Sequence, residues 1–216
     1  MIRKLLLRIL SGMVVCGGLG VLALHFYFAS LLTSAPPPYE PIREPFAYYF
    51  AYGSNMSPQY LTNIRNVRSQ WSSASILQDY AVQFSLPGLA RLEPAFANVT
   101  PQQGAEAYGV VHRLSLEGLE TIKGSEGEGY HWRQVDVHLA SGESVSAWTL
   151  VAKPAFLAQA PPSRRYLGVM YAAAVYFDFP EAQQERLNPE RGAYIPVLSE
   201  VIGVFIQSAV WLAARI

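Results

Sequence analysis

The 216-residue chain has room for one domain of ordinary size with extensions, and not for two large ones. Its formal net charge is zero and no Lys/Arg stripe crosses its middle, which excludes a nucleic-acid footprint. Apolar residues make up 51% and charged residues 15%, with the apolar excess gathered at the two ends.

The first end opens with Arg3, Lys4 and Arg8. It then runs from Ile9 to Leu32 with Ser11, His25 and Ser30 as its polar interruptions. About 20 apolar residues span a bilayer, so residues 1–33 read as an uncleaved membrane anchor in contact with lipid. A cleaved signal peptide is the alternative, but neither Val21-Leu22-Ala23 nor Thr33-Ser34-Ala35 makes a good cleavage site. The basic residues place the N-terminus in the cytoplasm and the rest outside it. Gly12, Cys16 and Gly20 put small residues on one helix face, which permits helix-mediated self-association; glycines scattered in an apolar helix are the plainer alternative. The lone cysteine, Cys16, excludes an internal disulfide and a Cys-based metal site. Residues 34–45, "SAPPPYEPIREP", are too proline-rich for a helix and read as an extended spacer, which at about 3.1 Å per residue holds a domain some 35 Å away.

Residues 46–193 form the globular part. "FAYYFA" and "SASILQDYAVQFSLP" alternate as half-buried strands do. "AFANV" and "AYGVVHRL" flank the turn-rich "TPQQGAE", a pattern that predicts a hairpin with a longish loop. Ser115 caps a short helix that Gly124 ends. "YHWRQVDVHL" and "SVSAWTLVA" are strands joined at "ASGE", and helices follow at "PSRRYLGVMYAAAVYF" and "PEAQQERL". Strands first and helices later predict an α+β fold, with a small, mostly antiparallel curled sheet or barrel. The histidines, His25, His112, His131 and His138, show no ligand spacing, and the last three read as solvated strand residues. Residues 194–216 carry a second apolar run, Ile195 to Ala214, interrupted by Glu200 and Gln207 on one helical face. We read it as a second span, with an interfacial helix or a buried terminal helix as alternatives.

Two loops carry candidate chemistry. Tyr52-Gly53-Ser54-Asn55 ends the first strand, and Ser57-Pro58 open a helix, so backbone N–H groups there suit a carboxylate or an oxyanion. "KGSEGEGY" sets Glu126 among glycines before Tyr130, where a carboxylate near apolar surface suits a general base; a solvated acid is the plain alternative, and Glu128 competes.

"FAYGSNM", "EAYGVVHRL", "LETIKGSEGEGYHWRQVDV" and "PPSRRYLGVMYAAAVYFDFPEAQQERL", in that order, resemble the γ-glutamylcyclotransferase family over nearly all of residues 48–187. The resemblance implies a small mixed α/β domain around a closed or nearly closed sheet. It also implies conversion of γ-glutamyl compounds to 5-oxoproline and a free amine, without metal or cofactor. By position, Glu126 matches the catalytic acid/base, and Tyr52, Gly53, Ser54 and Asn55 match the loop that grips the γ-glutamyl group. Tyr130 and Tyr166 match tyrosines of the pocket. Lys123 stands where the family often has Asp, and Ala173-Ala174 where Gly-Ala is usual. The first departure lowers the pKa of Glu126 if the ammonium reaches it, and the second narrows the pocket by a methyl group. Asn55 replaces the leucine of the glutathione-specific branch, which disfavours glutathione. A non-catalytic membrane-bound binding module on the same fold is the rival function.

Overall fold

The computed structural model describes residues 2–35, 37–126, 128–154, 157 and 159–215, with side chains from Gly18 onward. Five strands make a closed barrel in the order β1-β3-β2-β4-β5. They are β1 (Phe46–Ala51), β2 (Trp71–Leu89), β3 (Glu93–Ser115), β4 (Tyr130–Leu139) and β5 (Ser144–Ala152). All pairs are antiparallel except β1 with β5, which closes the barrel in parallel where Tyr49 faces Trp148. Closure removes the exposed edges that a five-stranded sheet would otherwise present. Phe50, Val99, Val110, Leu114 and Val137 fill the interior and are fully buried.

β3 corrects the expected hairpin. "AFANV" and "AYGVVHRL" belong to one long strand, because Thr100 and Pro101 still pair with Ala81 and Tyr80 on β2. The turn-formers between them make a bulge instead: Asp79 and Gly104 both take positive φ, and the Asp79 carboxylate accepts the Gly104 N–H at 2.7 Å. Past the bulge, β2 and β3 continue as a two-stranded arm whose Leu86, Pro87, Phe96 and Ala97 face the main cavity.

The helices are α1 (Ile2–Thr33), α2 (Leu116–Ser125), α3 (Arg164–Tyr176), α4 (Glu181–Arg186) and α5 (Leu198–Ala213). Ser115 caps α2 by accepting the Gly118 N–H, and Ser163 caps α3 by accepting that of Tyr166. Between β1 and β2 the expected helix is broken into a 3-10 turn, Ser54–Met56, and a π turn, Tyr60–Ile64.

Both ends depart from the sequence reading. The last turns of α1 dock on the domain: Phe28 joins Tyr60, Ile64, Val169 and Val204 in a small core, and Asn63 donates to the Leu31 carbonyl at 2.7 Å. The proline-rich segment therefore does not hold the domain at a distance. It folds back along it, with Glu40 N–H bound to the Ser69 carbonyl and Arg43 N–H to the Gln70 side chain. α5 is 16 residues, about 24 Å at 1.5 Å per residue, against a hydrocarbon core of about 30 Å. Its Gly203, Val204 and Gln207 are buried, and the Tyr194 hydroxyl donates to Glu200. The face that carries Gln207 turns inward while Phe205 and Leu212 stay exposed, so α5 docks on the domain by one face. Among the residues whose side chains are described, from Gly18 onward, no helix is long and apolar enough to cross a membrane. Gly12 and Cys16 fall where side chains lie outside the described ones.

α3 is tied to the start of β3 by Arg165, which donates to both oxygens of Glu93 at 2.7 and 3.3 Å. Glu93 is 1% exposed. Removing one member of such a pair strands a buried charge. Arg165→Met is expected to cost about 3–5 kcal/mol in chemical denaturation, and the double variant Arg165→Met/Glu93→Gln to regain most of it.

Candidate active site

A cavity of about 360 Å³ opens between the barrel end, the β2–β3 arm, α3 and α5, a size suited to a small organic molecule. Tyr52, Gly53, Ser54, Asn55, Glu126, Tyr130 and Tyr166 all line it, so the fold brings every site residue expected from the sequence to one place. Each arrives from a different element end. Tyr52 to Asn55 leave the end of β1, Glu126 terminates α2 with its N–H on the Ile122 carbonyl, Tyr130 begins β4, and Tyr166 lies in the first turn of α3. Glu128 is exposed and does not line the cavity.

Glu126 is the one carboxylate among the lining residues. Its Oε1 accepts the Asn55 side-chain amide at 3.0 Å and pairs with Arg65 Nη2 at 2.7 Å. Its Oε2 takes no hydrogen bond from the described residues and is left to the cavity. One oxygen is thus anchored and the other available for proton transfer.

Arg65 was not singled out from the sequence. It follows the π turn, and all three of its nitrogens are engaged: Nη2 with Glu126, Nε with Asn55 Oδ1 at 3.2 Å, and Nη1 with the Ser125 carbonyl and hydroxyl at 2.8 and 3.0 Å. Burial works against its charge, but the Glu126 carboxylate and its neighbours outweigh that and raise its pKa. A signal was present: "LTNIRNVRS" has no acidic residue within four positions of Arg65, so any carboxylate that pairs with it must come from elsewhere in the chain. Lys123 does not reach Glu126. Its ammonium pairs with Glu120 at 2.8 Å and lies 5.4 Å from the Trp148 ring centre, so the cation beside the candidate base is Arg65. Ala173 and Ala174 are buried in the core, outside the cavity lining, and do not narrow it.

Four tyrosines complete the walls, and burial first, then neighbouring charge or other tyrosines, raises the pKa of each; Tyr49, Tyr52, Tyr130 and Tyr166 therefore stay protonated. Tyr49 accepts from Asn55 Nδ2 at 2.9 Å. The hydroxyls of Tyr52 and Tyr130 donate to the carbonyls of Leu150 and Ala97 at 2.6 and 2.7 Å, so both are pinned. The Tyr166 hydroxyl accepts the Ala97 N–H at 3.2 Å and lies close over Gly53. A Cβ on Gly53 would come within 2.6 Å of that oxygen, which is the physical requirement for glycine here.

His112 is fully buried rather than solvated. Its Nε2–H donates to the Asn55 carbonyl at 2.9 Å, and the Ser72 hydroxyl donates to Nδ1 at 2.8 Å, the tautomer these partners require. It thus braces the backbone of Asn55 from behind. Among the described residues no group of three or more His, Cys, Asp and Glu side chains converges.

A family model described as gamma-glutamyl cyclotransferase, AIG2-like, matches residues 49–171, more than half of the chain, and the chain belongs to that family of cyclotransferase enzymes. It is 24% identical over 182 residues to the gamma-glutamyl cyclotransferase aclK of Aspergillus oryzae, covering 74% of this chain and 67% of the relative. It is 28% identical over 149 residues to gliK of Aspergillus fumigatus, covering 57% of this chain and 54% of that one, so it spans about half the length of this second relative. Among solved structures, one titled gamma-glutamyl cyclotransferase superposes with a TM-score of 0.58 at 23% identity, over 66% of this chain and 86% of that chain, which shows the shared fold.

Burial depresses the pKa of His112 from the ordinary 6.5 to about 4. The unfolded chain therefore takes up this proton first as pH falls, and stability drops between about pH 6.5 and 4, by on the order of 3 kcal/mol in total. His112→Gln is expected to flatten that part of the stability–pH curve, read by urea denaturation across the window.

Proposed function

We propose that this protein converts γ-glutamyl amino acids or γ-glutamyl amines to 5-oxoproline and the free amine, with Glu126 as the general acid/base. The observation that carries the reading is Glu126 Oε1 held by Asn55 and Arg65 while Oε2 is left to the cavity shared with Tyr52 to Asn55. The substrate's own α-amino group attacks its γ-carbonyl. Nucleophile and electrophile belong to one molecule, so the site acts mainly by folding the glutamyl chain and holding it. Oε2 takes a proton from the α-ammonium, the new C–N bond closes the ring, and the tetrahedral carbon carries an oxyanion. The amide C–N bond then breaks as Glu126 returns the proton to the departing nitrogen. The ring nitrogen's extra proton passes to the released amine, which leaves as an ammonium, and the ring keeps the lactam N–H.

The N–H groups of Gly53, Ser54 and Asn55 lie at the first turn of a 3-10 segment, where no preceding residue of the turn accepts them. They serve the α-carboxylate or the oxyanion. Tyr130 and Tyr166 wall the glutamyl portion. Arg65 and Asn55 fix Glu126 Oε1 in a cavity ringed by tyrosines, which leaves Oε2 to face the substrate. No step calls on a metal or a cofactor.

We also read α1 as a membrane anchor, with the catalytic domain outside the cytoplasm. The support is the apolar run Ile9–Leu32, which lies within one 32-residue helix, Ile2–Thr33, and the basic residues Arg3, Lys4 and Arg8 before it. Because the last turns of α1 dock on the domain, this reading puts the domain against the bilayer surface. Alkaline extraction of membranes and reporters fused at each end test it; a protein released by carbonate, or a cytoplasmic reporter signal from the domain, overturns it.

Glu126→Gln is expected to keep the fold and lower turnover by roughly 10²–10⁴-fold in 5-oxoproline release from mixed γ-glutamyl dipeptides, with Glu128→Gln near wild type. Full activity in Glu126→Gln refutes the assignment; a wild type that binds these compounds but releases nothing leaves a binding module. Arg65→Met is expected to reduce kcat/KM by roughly tenfold or more, with Arg65→Lys restoring only part because an ammonium does not reproduce the guanidinium's contacts.

A further inference from the structure

We propose that Ile206 and Val210 of α5 receive the amine half of the substrate, so that this site favours γ-glutamyl compounds whose amine half is a short apolar chain. The inference rests on the cyclotransferase reading for the placement of the glutamyl half. With that half gripped by the Tyr52–Asn55 loop, the scissile nitrogen must lie within reach of Glu126 Oε2, and whatever that nitrogen carries continues past Glu126. α5 and the π turn border the same cavity: Ile206, Val210 and Tyr60 line it together with Glu126.

Two cations line the cavity, and each is paired with a carboxylate. Arg65 spends its three nitrogens on Glu126, Asn55 and Ser125, and Arg165 is held by both oxygens of Glu93. Arg165 Nη1 takes no hydrogen bond, but each cation already has its counter-charge, so a carboxylate on the amine half meets no cation without a partner carboxylate, while an alkyl chain meets two branched aliphatic side chains. The wall is also set firmly. Val204 packs with Tyr60, Ile64 and Val169, and a Cβ on Gly203 would come within 2.8 Å of Arg165 Cδ, so α5 sits directly on α3.

The test is a homologous series, γ-glutamyl methylamide through γ-glutamyl n-pentylamide, with γ-glutamylglycine as the charged comparator. Each added methylene buried against α5 is expected to raise kcat/KM about three- to fourfold, and the butylamide to exceed the glycine conjugate. In Ile206→Ser/Val210→Ser the slope falls below about twofold per methylene. Val210→Thr, nearly isosteric, gives a smaller flattening should the double variant fail to fold. A flat or falling series in the wild type, an unchanged slope in the variants, or preference for γ-glutamylglycine overturns the proposal. Calorimetric Kd values for the same series on Glu126→Gln separate the two readings. If the wild type turns over none of the compounds, the cyclotransferase reading fails; a chain-length slope in Kd that the α5 variants flatten still supports the apolar wall, and a flat Kd series or no binding overturns it.

Discussion

The arrangement around the cavity depends on one constraint: a carboxylate placed among buried tyrosines loses its hydration and needs a cation and hydrogen-bond donors in its place. Glu126 has both, in Arg65 and Asn55. Meeting that requirement shapes the neighbourhood. The π turn at Tyr60–Ile64 delivers Arg65, and the end of α2 supplies the Ser125 carbonyl and hydroxyl to its remaining nitrogen. His112 then holds the Asn55 carbonyl, so that the amide facing Glu126 is braced from the barrel side. Each contact is made by a group whose alternative is an unpaired polar atom away from water, so the network has little freedom to rearrange without loss.

The barrel contributes rigidity rather than chemistry. Its strands close on themselves, and the cavity forms where structure exceeds the barrel: the arm of β2 and β3 on one side, α3 and α5 on the other. The bulge at Asp79 and Gly104 lets one continuous strand serve both purposes, pairing with β1 at one end and forming the arm at the other. The same economy appears at the termini. α5 packs its polar face inward and offers Ile206 and Val210 to the cavity, while α1 braces it from outside through Phe28. That α5 lines the candidate cavity is not something its apolar composition alone suggests.

Much of this was legible in local patterns. The alternation of "FAYYFA", the strands at the β4 and β5 segments, the Ser115 cap, and the strand-then-helix order all follow from short-range stereochemistry, and the elements formed there. The failures share a cause as well. "TPQQG" carries turn-formers, yet pairing along the whole of β2 outweighs them and leaves a bulge. His112 looks like an exposed strand residue until the loop after β1 folds over it and offers a carbonyl. The run Ile195–Ala214 is apolar enough to suggest lipid, and protein covers one face of it instead.

For the candidate site, motif order singled out Glu126 and the Tyr52–Asn55 loop, and the fold brings them to one cavity. Which cation accompanies Glu126 lay beyond that reading. Lys123 is three residues away in sequence and turns to Glu120, whereas Arg65 is 61 positions distant and makes the contact. Helix direction and barrel closure decide such pairings, since they set where side-chain ends meet in space. Composition and spacing determined the elements and the chemistry available; only the closed tertiary structure decided which distant groups became neighbours, because burying a charge selects its partner by geometry and not by sequence distance.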